Sequence, residues 1–543
     1  MKIKENASSQ KLRGGYYTPL ELSNFIVKWG KRENIEILEP SCGDGSFLES
    51  INKEYLNINY KCTAIELLEG ELEKAKSVVK NSKNFDFLNQ DFYDYYENHK
   101  NKKYDLIVGN PPYIRYQYLS QSQRDYQSKM LTQSGMKSNK LINSWVAFVV
   151  ASVNLLKDKG KIGLVIPAEL LQVAYAKDLR LYLTNNLSKI TIVAFKELVF
   201  PEVQQEVILL MGEKDISQIN DDKGEISFIE TQNISSLSDV SDGKIEYKHI
   251  NHSTDKWTKY LLSNSEIKLI TKAQNSKDFK YFDEIANVDV GITTGNNKYF
   301  SVDKNIVEEY KLKNVVNSLI GRSCHINGLY FDNDLWLENV EENKRSFLIN
   351  FPDTPFEKYE KEHKNYIFNG EKNNENSGYK CRIRQRWYRV PSIWAPQIFL
   401  LRRSNLYPKF ILNEINAVST DTMHRITTKG NLNPKLLLLS YYNSITFASI
   451  ELEARSYGGG VLEILPGEVK KILISDLSFI TEEETQIHLK KIDSMLKMDN
   501  DIEKVLDYVD RKIILKNLNF TEKELINYRN IWRKLKDRRL NRK

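Results

Sequence analysis

The sequence predicts an α/β protein followed by a second, differently built region. Three observations carry that reading. Between residues 35 and 213, short β-branched apolar runs alternate with longer helical patterns, as a parallel sheet covered by helices requires. The last two runs are separated by only about ten residues with no helical pattern, which predicts an antiparallel hairpin at the sheet edge. Beyond about residue 215 the text turns polar and Asn/Asp/Ser-rich, with irregular strands and no strand-helix alternation.

The predicted strands are 35–38, 60–66, 85–91, 104–110, 161–167, 189–195 and 206–212, with helices near 46–56, 68–81, 141–157 and 170–187. Seven strands ending in a hairpin make the pattern of a Rossmann-like, methyltransferase-type sheet. The expected domains are 1–245 for this catalytic sheet, 246–475 for an α+β region, and 476–543 for a basic helical tail. Stretch 357–377, rich in Asn, Lys and Glu, reads as a solvated loop, and 116–140 as a polar loop.

Composition bounds the function. A chain of 543 residues exceeds one ordinary domain, and 41% hydrophobic with 28% charged residues is the balance of a soluble globular protein. No apolar run reaches the roughly 18 residues of a spanning helix. The start "MKIKENASSQKLRGG" lacks an apolar signal core, so a cytoplasmic protein is expected. Cys42, Cys62, Cys324 and Cys381 have no ligand spacing, so neither a disulfide framework nor a metal site is expected. Of the net charge of +7, segment 531–543 holds +6, from seven Lys/Arg against Asp537. A polyanion site elsewhere must therefore be local, and 379–403 offers Lys380, Arg382, Arg384, Arg386, Arg389, Arg402 and Arg403 with no acid.

The strand ends carry the chemistry. The first runs into "LEPSCGDGSF", where Gly43 and Gly45 allow a sharp turn and close backbone approach at a carboxyl edge, the ordinary ligand crevice of such sheets. GxGxxG is absent, and Glu39 and Asp44 oppose a pyrophosphate but suit a cationic or hydroxyl-rich ligand. Glu66 ends the second strand, where it can accept from ribose hydroxyls; Asp91 and Phe92 follow the third, where they can accept from an exocyclic amine and cover an adenine face. Together they describe a pocket for S-adenosylmethionine. The fourth strand stops at Asn110-Pro111-Pro112-Tyr113. Proline lacks an N–H and fixes its neighbours in extended geometry, so the turn can aim the Asn110 side-chain oxygen and the Pro111 carbonyl at one amino group. Two such acceptors free a nitrogen lone pair for in-line methyl transfer, and Tyr113 offers a flat face for the base.

This ordered set resembles the gamma-class N6-adenine DNA methyltransferases of restriction-modification systems, the TaqI-type enzymes. The resemblance places Thr18 and Pro19 of "GGYYTP" over the cofactor, gives Glu39, Pro40 and Gly43 to the first motif, and assigns catalysis to Asn110 through Tyr113. It also implies an aromatic on the far face of a flipped adenine, here Phe200 of "ELVFPEVQQEVILL", with Phe195 as runner-up. Segments 286–300 and 455–466 resemble target-recognition segments, which makes 246–475 the DNA-reading domain. On a strand, Arg382, Arg384 and Arg386 would share one face and hold phosphates or read guanine. The basic terminus would add nonspecific affinity or be a solvated tail. A monomer acting on double-stranded DNA is expected, with any cognate restriction endonuclease a separate chain and no membrane partner. The alternative is an RNA or release-factor glutamine N-methyltransferase, which shares Asn-Pro-Pro-Tyr; cytosine N4 methylation and a non-catalytic relic rank below it.

Overall fold

A computed structural model describes residues 17–80, 82–200, 206–221, 223–242, 245–250, 256–499 and 501–541. The chain forms two compact units, Met1–Asn264 with Asn541–Lys543, and Ser265–Leu540.

The first unit is built on β1 (Ile35–Glu39), β2 (Tyr60–Glu66), β3 (Phe85–Asn89), β4 (Tyr104–Gly109), β5 (Leu156–Pro167), β6 (Lys189–Phe195), β7 (Val207–Glu213), β8 (Glu225–Thr231) and β9 (Lys248–His249). Their order is β3-β2-β1-β4-β5-β7-β6-β8-β9. From β3 to β5 all neighbours are parallel; β7 runs antiparallel to both β5 and β6. The central strands are apolar on both faces, with Ile37, Leu38, Ile107, Val108 and Leu164 fully buried, each contributing roughly 1.5–3 kcal/mol. The chain leaves β1 for β2 and β3, then returns to β4 on the other side of β1. That reversal opens a crevice at the carboxyl ends of β1 and β4.

All seven expected strands are present, but the hairpin is not the edge of the sheet. β8 pairs parallel to β6, and β9 pairs with β8, so the sheet has nine strands. The burial of β8, with Ile226 and Ser227 inside and Glu225 and Glu230 outside, does not alternate, which is why its sequence resembled an irregular segment.

The helices that position the site are α1 (Leu20–Gly30), α2 (Ser46–Glu54), α3 (Glu69–Ser77), α4 (Phe92–Asn98), α5 (Gln121–Gln133), α6 (Ser144–Asn154) and α7 (Lys177–Asn186). In α1, Leu22, Ile26, Val27 and Gly30 form one buried stripe. Gly163 of β5 lets it lie flat on the sheet, since a Cβ there would fall 2.4 Å from Ile26 Cγ2. Two corrections concern loops. Within 116–140 stands α5, started by a Ser120/Gln123 capping box. The region expected as helix from 170 begins as 3-10 turns, and α7 starts at Lys177.

The second unit holds a five-stranded sheet ordered Ala286–Val290, Met423–Thr428, Ile398–Leu401, Phe410–Asn413, Tyr330–Phe331, and a four-stranded one ordered Ser301–Val302, Phe347–Ile349, Val316–Ile320, Val418–Ser419. Smaller pairings join Phe279–Tyr281 to Leu473–Ser475, and Val461–Glu463 to both Arg403–Ser404 and Arg455–Tyr457. The stretch read as a solvated loop contains helix Lys361–Lys372, whose His363, Tyr366, Ile367 and Gly370 are buried at i, i+3, i+4, i+7 spacing. The C-terminal helices are part of this unit, not a separate segment. Helix Glu522–Leu540 packs on Ser444–Glu453, where Trp532 meets Phe447 at 5.6 Å between ring centres and buried Arg539 bonds buried Glu451 at 2.7 Å. Three further cations are engaged: Arg533 with Glu503, Lys534 with Glu266, and Lys536 over the Trp532 ring. Up to Leu540, the basic terminus is a structural helix and not a solvated tail.

Among the described residues, no helix is long and apolar enough to cross a membrane.

Candidate active site

Glu39 closes β1 at 1% exposure, with Pro40 buried behind it. Its Oε2 accepts from Ser41 N at 3.0 Å, while buried Oε1 has no hydrogen-bond partner among the described residues. Burial, reinforced by the neighbouring Glu66 and Asp44 charges, drives the Glu39 carboxyl well above the usual carboxylate range, against the pull of the Ser41 N–H. Room for it comes from Gly109 at the end of β4, where a Cβ would stand 2.7 Å from Glu39 Oε1. Gly43 adopts φ +53°, with nothing within 4 Å of where a Cβ would point, so its backbone faces open space. Its N–H donates to Glu66 Oε2 at 3.0 Å, and Glu66 Oε1 accepts from Leu68 N at 2.9 Å. A carboxylate has about four lone-pair sites, so Glu66 keeps acceptor capacity for a hydroxyl-bearing ligand.

Asp91 caps α4 by accepting from Tyr93 N at 2.7 Å, and burial raises its carboxyl from the usual range. Phe92 is 3% exposed and packs on Phe148 of α6 at 4.8 Å. It is a member of an aromatic cluster first, and any ligand face it offers is a wall of that cluster.

At the end of β4, Asn110 Nδ2 donates to Thr18 Oγ1 at 3.2 Å, and Tyr113 OH lies 2.6 Å from Asn110 Oδ1 and 2.8 Å from Val165 O. Thr18 is carried there by Pro19, whose carbonyl accepts from Leu22 N and Ser23 N as α1 begins. One phenolic proton cannot fully serve two acceptors. The backbone carbonyl of Val165 can only accept, so full satisfaction turns the Asn110 amide over: its N–H₂ then donates to the phenol oxygen, and its oxygen accepts from Thr18. Either way the amide is held from two sides. Across the crevice, Ser41 Oγ donates to Asn110 O at 3.3 Å, tying the glycine-rich turn to the Asn-Pro-Pro-Tyr turn.

The residue the sequence reading missed is Ser144, 2% exposed at the start of α6. Its hydroxyl donates to Pro112 O and accepts from Ile114 N at 3.0 Å, while its own N–H donates to Ile114 O at 2.9 Å. Three bonds from one side chain and its backbone fix the turn that holds Asn110 and Tyr113. Pro111 is buried, Pro112 half-buried and Tyr113 8% exposed. Phe200 is 8% exposed at the last described position before 201–205, which lie outside the described residues along with part of its motif. Phe195 is a core residue of β6. Gly14, Gly15 and Tyr16 of the N-terminal motif also lie outside the described residues.

The arginine row is not a strand face. Residues Tyr379–Arg382 form a helical turn, and the chain continues in turns. Arg384 spends Nη1 and Nη2 on the carbonyls of Thr294 and Thr293 (2.7 and 2.8 Å), and Arg386 Nη1 bonds Asp353 and the Thr354 carbonyl, both at 2.8 Å. Arg382 is exposed. The three therefore do not present one shared surface, and two of them hold the fold.

A Rossmann-like sheet with an acidic, glycine-lined crevice at its reversal point and an Asn-Pro-Pro-Tyr turn beside it defines a methyltransferase-type catalytic unit. Residues 28–200 match the Eco57I restriction-modification methylase family, and 254–514 match the C-terminal domain of type II methyltransferase M.Eco57I. The chain belongs to this family of gamma-class DNA methyltransferases of restriction-modification systems. Type II methyltransferase M.AccI of Acinetobacter calcoaceticus is 28% identical over 89% of this chain and 90% of that protein. M.HindII of Haemophilus influenzae is 25% identical over 63% and 66% respectively. The type IIL restriction-modification enzyme MmeI, solved in complex with DNA, shares the fold at TM-score 0.59 and 12% identity, over 98% of this chain and 80% of that one.

Proposed function

We propose that this DNA methyltransferase is adenine-specific: it flips a target adenine from duplex DNA and methylates N6 with S-adenosylmethionine, protecting its recognition sequence in a restriction-modification system. The observation that carries the proposal is the Asn110 amide, gripped by Thr18 and Tyr113 at the end of β4, beside a crevice whose buried carboxylate oxygen has no partner among the described residues. A cationic amino-acid-bearing cofactor fits that crevice. Glu39 and Asp44 suit positive charge, Gly43 gives close backbone approach, and Glu66 has acceptor capacity left. When bound, S-adenosylmethionine supplies an electrophilic methyl group.

The chain's own residues do the rest. Asn110 and the Pro111 carbonyl accept the two amino hydrogens, which localises the nitrogen lone pair; fixed acceptors need no reorganisation. Tyr113 and Phe200 take the two faces of the base and return part of the few kcal/mol that extrusion costs. Asp91 and Phe92 line the adenine side of the cofactor, and Thr18 and Pro19 cover it. Residues 265–540 read the sequence on DNA, and the protein acts in the cytoplasm as a monomer, separate from any cognate nuclease.

The test is base-modification sequencing of DNA from a methylation-free host expressing the wild type or Asn110→Ala, with cofactor binding measured on both purified proteins. One short motif carrying N6-methyladenine only with the wild type is expected, at near-equal cofactor affinity. Retained methylation in the variant would refute the role of Asn110. Unmodified DNA from soluble wild type would shift the substrate to RNA or a glutamine amide.

A further inference from the structure

The two arginines of 379–403 nearest its end differ from those before them. Arg402 and Arg403 follow strand Ile398–Leu401, and both reach one buried carboxylate, Glu463, through their Nε edges at 3.1 and 2.8 Å. Nε is the inner nitrogen of the guanidinium. On Arg384 the outer fork is consumed by carbonyls, but on Arg403 it makes no hydrogen bond among the described residues, and the side chain is 66% exposed. A short distance along the surface, strand Val316–Ile320 ends and Arg322 stands exposed, its guanidinium making no ion pair or hydrogen bond among the described residues.

These residues line one cleft of about 440 Å³ with Ser323, Cys324 and Thr422. Three guanidinium groups face Asp421 in its wall and Glu463 behind it, so the cleft is net positive. Asp421 is partly occupied, accepting from Asn297 Nδ2 at 3.1 Å. A guanidinium braced at Nε by a carboxylate presents a pre-oriented fork to an incoming oxyanion, so less freedom is lost on binding.

We propose that this cleft is a contact site for the phosphate backbone of duplex DNA, with Arg322 and Arg403 making the contacts and Arg402 helping to shape the site. The proposal rests on the DNA-methyltransferase reading above and relocates its basic surface from Arg382, Arg384 and Arg386 to the strand ends at 322 and 402–403. Phosphate contacts carry no sequence information, so the site fixes position on the duplex.

Cys324 is a built-in reporter, because it is exposed while Cys42, Cys62 and Cys381 are buried. Maleimide labelling of the full-length wild type should therefore report on the cleft. Saturating duplex of arbitrary sequence should slow labelling of Cys324, and added salt should restore the rate in step with dissociation. Arg322→Ala and Arg403→Ala should each weaken binding about tenfold on every duplex, and lower the slope of log affinity against log salt by about one. Arg403→Lys should keep most of the slope. Unchanged Cys324 labelling on protein shown by anisotropy to be DNA-bound, with unchanged slopes in both alanine variants, would overturn the cleft while leaving the methyltransferase reading intact. Wild type that binds no duplex would overturn both.

Discussion

The two units treat buried negative charge in opposite ways. Five carboxylates are buried among the described residues: Glu39 in the first unit, and Glu451, Glu463, Glu468 and Asp510 in the second. Each of the four in the second unit meets an arginine: Glu451 meets Arg539, Glu463 meets Arg402 and Arg403, Glu468 meets Arg455, and Asp510 meets Arg529, at 2.6–3.1 Å. Among the described residues Glu39 meets none, and the charges that act on it are the carboxylates of Glu66 and Asp44. A buried ion without a counter-ion costs several kcal/mol, so a fold that keeps one at a strand end stores an affinity for a cation. The second unit neutralises its buried acids with its own chain; on the proposed reading, the first leaves that to the cofactor.

Breaking a pair in the second unit should have the largest effect. Arg539→Ala strands Glu451 and unbinds the carbonyls of Asn405 and Gly460, and should cost about 3–5 kcal/mol of stability, read by denaturant unfolding. A loss under 1 kcal/mol would mean that water replaces the guanidinium.

Glu39→Gln sharpens the contrast from the other side. Because the folded carboxyl titrates above its unfolded value, the native state keeps a proton that the unfolded chain has released. Glu39 therefore withdraws stability from the ligand-free protein as pH rises from the ordinary carboxylate range towards its raised pKa. The variant should be more stable than the wild type by a margin that grows as pH rises above the ordinary carboxylate range, yet lose about 1.5–3 kcal/mol of cofactor affinity. A gain that does not grow with pH would refute the charge argument.

The smallest effect tests positioning. Ser144→Ala removes the hydroxyl bridging Pro112 and Ile114 and should slow methyl transfer by about 1–2 kcal/mol in kcat with KM for DNA nearly unchanged. A change in KM alone would assign Ser144 to DNA binding.

What could be read from the sequence follows the same division. The placement of Glu39, Gly43, Glu66 and Asn110 at the carboxyl edge was legible because each stands at or just after the end of a parallel strand, where such sheets open their crevice. Thr18 was legible by resemblance, and the structure adds its bond to Asn110. Ser144 was not, because its value comes from a turn thirty residues earlier that packing brings beside it. The arginine row failed for a related reason. Alternation at 382, 384 and 386 means a shared face only on a strand, and the carbonyls of Thr293 and Thr294 that capture Arg384 lie about ninety residues away. Helix Lys361–Lys372 had its buried i, i+3, i+4, i+7 stripe in plain view, but Asn, Lys and Glu between those positions diluted it.

The last turn of helix Glu522–Leu540 has a consequence for synthesis. Its Arg539 closes on Glu451, Asn405 and Gly460, while Tyr528 of the same helix bonds the carbonyl of Leu269 near the unit's first residue. The second unit is thus sealed by contacts between its beginning and its end, of the kind that form late. On the ribosome, residues 1–264 of the first unit emerge while the second is still being made. A chain released before residue 539 would leave the second unit unsealed, which couples the completion of translation to the completion of that unit.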